Sequence, residues 1–185
     1  MAPYNVSRIA QRIRESAVVC GATKLITIDG PAGSGKTTLA RHLAQELGRC
    51  EVIHMDDLYD GWTQDLAKEL PQRITTSIIE PLQMGIEPRY LKYDWYQKAF
   101  TETICVPECN FLILEGVGSG HSTLRSHVAL AIWIESAPQL LVERIVARDG
   151  EQLRDELAAW QIKEADYFAK HSVREAADLH VRGDD

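Results

Sequence analysis

The sequence predicts an α/β fold, a three-layer α/β/α sandwich whose central parallel sheet has about five strands. Three observations carry this prediction. Short apolar runs alternate with segments of helical periodicity, the pattern of parallel strands joined by crossover helices. Residues 25–37, LITIDGPAGSGKT, read as a buried strand entering a glycine-rich turn that opens a helix. Residues 111–115, FLILE, form a continuous apolar run ending in an acid, as a strand buried on both faces should.

The elements follow in order. Val6, Ile9, Ile13 and Ala17 fall at helical spacing, so residues 5–19 are expected to form an amphipathic helix with Arg8, Arg12 and Arg14 on a solvated face. After the glycine-rich turn a helix runs from Lys36 to about Leu47, and Gly48 suits its C-cap. Glu51 to His54 forms a second strand that ends at Asp56 and Asp57. A helix is expected from about Thr75 to Met84, then an irregular stretch rich in Tyr, Trp and Arg from Arg89 to Phe100. The 111–115 strand leads into a loop expected to be flexible, Gly116 to Gly120. Val128 to Ile134 supplies another strand, and Pro138 opens a helix reaching about Arg148. Gln152 to Ala169 reads as a further helix, and Leu179 to Val181 as a short edge strand.

Composition bounds the function. The 185 residues suit a single domain spanning 1–185, with 45% hydrophobic content. Twenty basic against 27 acidic residues give a formal charge of -7, which argues against a nucleic-acid or anionic-membrane surface and for small-molecule chemistry. The four cysteines show no C-x-x-C pair and read as reduced, mostly buried thiols. His42, His54, His121 and His127 lack metal spacing and are expected to be structural or surface residues. With no apolar leader and no run of about 18 apolar residues, a cytoplasmic location is expected.

The chemistry starts at Gly30, Gly35, Lys36 and Thr37, which fit G-x-x-x-x-G-K-[ST]. Glycines let successive backbone N–H groups face an anion, and the helix N-terminus behind them adds partial positive charge. Gly30, Pro31, Ala32, Gly33, Ser34, Gly35, Lys36, Thr37 and Thr38 are therefore candidates for holding the phosphates of ATP. Thr37 offers a hydroxyl to Mg2+, and Glu115, at the end of its buried strand, is a second candidate for the metal. Phosphoryl transfer also needs a base, and Asp56 is placed to accept a hydroxyl proton, whereas Asp57 should point the other way. Arg144 and Arg148, four apart on one helix, share a face and would close over phosphate as catalytic cations; Arg154 follows the Asp149-Gly150 break. The alternative for these arginines is surface pairing with Glu143 or Glu151. Substrate contacts are expected from Tyr59 and from the 89–100 stretch, with Arg89, Tyr93, Asp94 and Trp95; Trp62, Tyr90, Tyr93, Trp95 and Tyr96 could form a stacking platform.

These motifs occur in an order that resembles the uridine kinase and phosphoribulokinase group of P-loop kinases. The likeness rests on the phosphate loop, the strand end Asp56 to Tyr59, Lys92 to Trp95, Leu114-Glu115-Gly116 and Arg144 to Asp149, and covers Leu25 to Asp149. It implies the P-loop NTPase fold, with Asp56 as base, Glu115 organising magnesium, lid arginines at Arg144 and Arg148 within a lid of about 144–155, and Tyr93 and Asp94 in an acceptor pocket within a substrate-side insert of about 57–107. Two departures concern the acceptor: Gln97 and Lys98 stand where uridine kinases carry a base-reading histidine, and no Arg-Gly-Arg run follows Arg148-Asp149.

The expected activity is transfer of the ATP γ-phosphate to a hydroxyl of a small molecule, a nucleoside first, with Mg2+. Two rivals remain: a nucleoside monophosphate kinase, whose loop looks like that of bacterial cytidylate kinases, and a nucleotide-dependent ATPase or switch read by a partner. Against the first, only Arg73 and Arg89 are available between Asp56 and Phe111 to hold a monophosphate.

Overall fold

A computed structural model describes residues 4–183; the side chains at positions 148, 149 and 153 are not among those described. The chain runs α1 (Val6–Glu15), β1 (Lys24–Asp29), α2 (Lys36–Leu47), β2 (Cys50–His54), α3 (Glu69–Ile74), α4 (Glu80–Gln83), β3 (Arg89–Asp94), β4 (Ala99–Cys105), β5 (Phe111–Glu115), β6 (Leu130–Glu135), α5 (Pro138–Asp149), α6 (Arg154–His171) and β7 (Leu179–Arg182). Five strands form one parallel sheet in the order β2-β5-β1-β6-β7, and β3 pairs antiparallel with β4 in a separate two-stranded sheet. The chain leaves β1 toward one edge and returns past it toward the other, so a crevice opens at the carboxyl end of β1, where open α/β sheets bind ligands.

Strand alternation divides the core into two layers. Ile26, Ile28, Ile113, Ile132 and Ile134 pack on one face against Ile9, Ile13, Leu39 and Leu43 of α1 and α2. Leu25, Leu112, Leu114 and Trp133 pack on the other, with Ile74, Ile78, Trp160 and Tyr167. This parity decides where the polar strand ends point. Glu115 shares the face of Ile113 and so looks toward α2, whereas Asp29 shares the face of Leu25 and looks toward α6.

Four expectations need correction. The first helix stops at Glu15, because Ser16 is extended and its hydroxyl donates to Ile13 O; Val18 and Val19 are exposed. The helix expected from Thr75 begins earlier, at Glu69, and passes through a π-helical turn, Thr75–Ile79, before α4. Pro81 lacks the N–H that an α-helix would send to Ser77 O, and the wider turn absorbs that loss. The 89–100 stretch is not irregular but a hairpin. Its turn is closed by the Asp94 carboxylate, which accepts from Tyr96 N and Gln97 N, both at 2.8 Å, with no glycine present to advertise it. The 116–120 loop is not flexible packing material either: Gly116 to Ser119 are buried and the loop is tied to β1 through Gly116 N to Ile28 O.

Of the cysteines, Cys20 and Cys109 are buried, Cys50 half-buried and Cys105 exposed, and all are free thiols. Among the described residues, no helix is long and apolar enough to cross a membrane.

His121 is buried as a structural tie between Thr123 and Ala67 O, stacked against Tyr167 and packed on a tilted His171 ring. Burial, followed by the neighbouring His171, pushes its pKa down to about 4. A depressed histidine stabilises the fold above its unfolded pKa of 6.5 and loses that contribution as pH falls toward 4. Urea titrations should therefore show wild-type stability falling relative to His121→Gln by about 2 kcal/mol between pH 7.5 and 4.5. Parallel curves would show that His121 protonates in the fold as readily as in the unfolded chain.

Candidate active site

The phosphate loop sits at the crevice. Gly30 and Gly33 take φ of 146° and 81°, and a Cβ on either would strike backbone, at 2.0 Å from Ile134 O and 2.6 Å from Leu141 O. Only glycine lets β6 and α5 approach this closely. Gly35, the N-cap of α2, brings no side chain to the first-turn N–H groups, which leaves them to an anion. Lys36 is buried and spans its own loop, donating to Gly30 O and Pro31 O at 2.8 Å each. Pro31, Ala32 and Ser34 complete the turn, and Thr37 and Thr38 lie exposed in the first turn of the helix. Ser34 Oγ is buried without a hydrogen-bond partner among the described residues.

Strand parity brings the next group together. Thr37 Oγ1 donates to Glu115 Oε1 at 3.0 Å, and His54, the register partner of Glu115 on β2, contacts the same oxygen through Nδ1. That hydrogen bond raises the His54 pKa. His54 therefore belongs to the site rather than to the surface. The two oxygens of Thr37 and Glu115 are hard donors of the kind Mg2+ takes, and Mg2+ is ordinarily held by one or two protein oxygens plus phosphate and water. No cluster of three or more His, Cys, Asp or Glu suited to a metal occurs among the described residues, so the donor set fits that cation better than a caged transition metal.

Asp56 and Asp57 do diverge, but not by strand alternation: β2 ends at His54 and Met55–Asp57 is a 3-10 turn, which sets successive side chains about 120° apart. Asp57 faces the hairpin, bonded by Tyr90 and 3.4 Å from Lys92 Nζ. Asp56 is exposed beside the crevice, and its backbone oxygen accepts from Trp95 Nε1 at 3.0 Å. Tyr59 is buried nearby, donating to Val117 O at 2.7 Å. Burial first, and then the charges of Asp56, Asp29, Glu115 and Glu164, raise its pKa well above 10.0. The Tyr59 phenol thus lies within the electrostatic reach of four carboxylates.

Aromatic side chains gather beside Asp56 and the hairpin. Tyr59, Trp62, Trp95 and Trp160 form a closed circuit of contacts with ring centroids 5.1–6.4 Å apart, and Tyr93 packs on Trp95 at 5.3 Å. Tyr90 and Tyr96 stand apart from this cluster, Tyr90 buried under the hairpin and Tyr96 97% exposed. Asp94 closes the hairpin turn with Gln97 rather than facing the crevice. Arg89, at the far end of β3, pairs with Glu87 in solvent. Arg144 reaches the loop, donating to Ser136 Oγ at 3.2 Å and Gly33 O at 3.4 Å. The Arg148 side chain lies outside the described residues, and Arg154 is held by Glu151, the surface pairing that was the alternative.

The spacing of residues missed Asp29, Trp160, Lys163, Glu164 and Tyr167. Asp29 is 1% exposed; Oδ1 accepts from Gly30 N at 2.7 Å, and Oδ2 from Gly120 N, Gly118 N and Tyr167 OH at 2.8–3.1 Å. Burial raises its pKa to about 6, against these hydrogen bonds and the charge of Lys36. On α6, Glu164 accepts from Ala32 N of the loop, and Lys163 donates to Trp62 O and Gln64 O. The signal was an acid in the stripe Leu157, Trp160, Glu164, Tyr167, which otherwise reads as the apolar face of a helix.

This geometry, a strand, a glycine loop with a buried lysine and a helix at the switch point of a parallel sheet, defines a P-loop nucleotide-binding fold. The chain belongs to the AAA domain family, which matches residues 26–168. Among solved structures, it is similar to a possible uridine kinase from Bacillus stearothermophilus, with a TM-score of 0.68 and 18% identity over 95% of this chain and 96% of that one. It is also similar to a protein from Silicibacter sp. TM1040 provisionally named a fructose transport system kinase, with a TM-score of 0.63 and 23% identity over 96% and 98%. A cytidylate kinase of Oleidesulfovibrio alaskensis is 59% identical over 32 residues, 17% of this chain and 13% of that enzyme.

Removing the Asp29 carboxylate would strand four buried donors, three of them on two different loops. Asp29→Ala is expected to cost about 3–5 kcal/mol of unfolding free energy, measured in urea, against less than about 1 kcal/mol for Asp94→Ala at the exposed hairpin turn. Equal losses would show that Asp29 does not hold the loops.

Proposed function

We propose that the protein is a Mg2+- and ATP-dependent kinase that phosphorylates a hydroxyl of a small, nucleoside-like acceptor. The observation that supports this most directly is that the phosphate loop and Asp56, a carboxylate just past the end of β2, lie at the same carboxyl edge of the sheet, Asp56 beside a cluster of aromatic rings. Hydrolysis alone needs only a positioned water; a general base next to a stacking surface suits an alcohol acceptor.

In this reading Lys36 exchanges its two carbonyl partners for phosphate oxygens, and the loop N–H groups hold the rest of the chain of phosphates. Thr37 and Glu115 would hold Mg2+, with His54 fixing the Glu115 carboxylate. The metal, when bound, supplies neutralisation of phosphate charge. Asp56 takes the proton as the acceptor oxygen bonds to the γ-phosphorus and the bond to the bridging oxygen of ADP breaks. Arg144, and Arg148 in the same 144–155 lid, offset charge on the transferred group. Trp62, Tyr93, Trp95 and Trp160 receive the flat part of the acceptor, inside the 57–107 insert and α6.

The short match to a cytidylate kinase favours a second reading, a nucleoside monophosphate acceptor. It is weakened by the two arginines such an acceptor needs: Arg73 is engaged with Leu58 O, Gln64 Oε1 and the Phe100 ring, and Arg89 is turned to solvent.

ADP release should rise only with one class of acceptor in a panel of nucleosides, nucleoside monophosphates and sugars. Asp56→Asn is expected to lower kcat by about 100-fold or more while nucleotide Kd stays within about twofold. Acceptor-independent release, or full turnover in the variant, would return the protein to the ATPase or switch class. A requirement for a phosphorylated acceptor would select the second reading.

A further inference from the structure

Glu164 is an ionisable side chain from the last helix set into the phosphate loop, and the transfer chemistry does not need it. It is 4% exposed. Its two carboxylate oxygens share one loop donor, Ala32 N, at 3.1 and 3.4 Å. Ala32 follows Gly30 and Pro31, whose carbonyls hold the Lys36 ammonium, so the carboxylate lies at the lysine end of the loop. Lysine in this motif reaches the β- and γ-phosphates. Glu164 therefore stands at the lysine end of the loop, within the field of Lys36, and it offers the Ala32 N–H what a phosphate would offer, a negative oxygen.

The surroundings make this contact conditional. Burial raises the Glu164 pKa to about 7, opposed by Lys36 and by Ala32 N and aggravated by Asp29, with Trp160 donating to the carboxylate. The charges facing it are Lys36 from the loop and Asp29 from β1, and Tyr59 lies within reach of its field. A triphosphate arriving beside Lys36 competes with Glu164 for that cation and adds like charge next to a buried carboxylate, which opposes its binding.

We propose that Glu164 is an internal competitor for the outer-phosphate position of the loop, so that a nucleoside triphosphate binds only as α6 withdraws this side chain. The inference rests on the reading of the loop as a nucleotide site. The same helix carries Trp160 in the aromatic cluster and Lys163 on Trp62 O and Gln64 O, so withdrawal of Glu164 disturbs the acceptor side as well. Phosphate occupancy and acceptor access are thereby coupled through one rigid element.

The test is titration of Mg-ATP and AMP into the full chain, wild type and Glu164→Gln, by calorimetry. Glutamine keeps an oxygen for Ala32 N and loses the charge. The variant should bind Mg-ATP about tenfold tighter, with AMP, which has no outer phosphates, unchanged. Equal or weaker Mg-ATP binding by the variant, with the wild type still binding, would overturn the competitor and leave the nucleotide reading standing. Binding of Mg-ATP by neither form would overturn both. Hydrogen exchange on the wild type supplies the second measurement should the variant not fold: amides of residues 160–167 should exchange faster with Mg-ATP than without it, and unchanged or slower exchange would overturn the proposal.

Discussion

The structure depends on a single buried carboxylate. Asp29 ends β1, and its two oxygens collect N–H groups from the phosphate loop and the loop after β5, together with the Tyr167 hydroxyl of α6. Each of those segments would otherwise bring unpaired donors into an apolar layer, a cost folding does not tolerate. One acid satisfies them together and fixes their mutual positions. The arrangement is expensive in its own right, since the ionised form is disfavoured by burial, and Lys36 is the cation that offsets it. The loop lysine thus has a structural role before any ligand is considered.

Much of the sheet was legible because buried parallel strands leave continuous apolar runs, and FLILE and LITID leave little else to read. The phosphate loop was legible because its glycines answer a geometric demand that no other residue meets. The hairpin of β3 and β4 was not: its strands are half exposed, carry Arg, Lys, Glu and Thr, and turn without Gly or Asn-Gly, so nothing local separates it from an irregular segment. The start of the helical stretch at Glu69 was hidden by Pro71, which falls in its first turn, where proline is tolerated. Among the candidates, Asp56 and Glu115 could be named because one follows a strand and the other ends one. Trp160, Lys163 and Glu164 could not, because what brings them to the crevice is long-range packing of α6 on the sheet, not spacing along the chain. His54 was passed over for a different reason: its partner lies on a neighbouring strand, and strand order is invisible until the sheet is assembled.

The distribution of roles over the two sheet faces is also physical in origin. One face carries α2 and thereby receives Thr37, Glu115 and His54, all hydrophilic and clustered at the strand ends. The other carries α6 and receives Asp29, Tyr59 and Glu164, in a setting rich in aromatic rings. A one-residue change in the register of β1 or β5 would exchange these populations, which is why buried parallel strands fix the chemistry as firmly as they fix the core.

The hairpin shares no ladder with the main sheet. It is fastened by Lys92 to Asp57, by Trp95 to the Asp56 carbonyl and by ring contacts, all of them side-chain attachments. Lengthening or replacing it leaves every hydrogen bond of the five-stranded sheet in place. The frame's backbone pairing is therefore independent of the hairpin, and what ties the two together is packing: Tyr90 of the hairpin sits in the core and Ile104 packs against it.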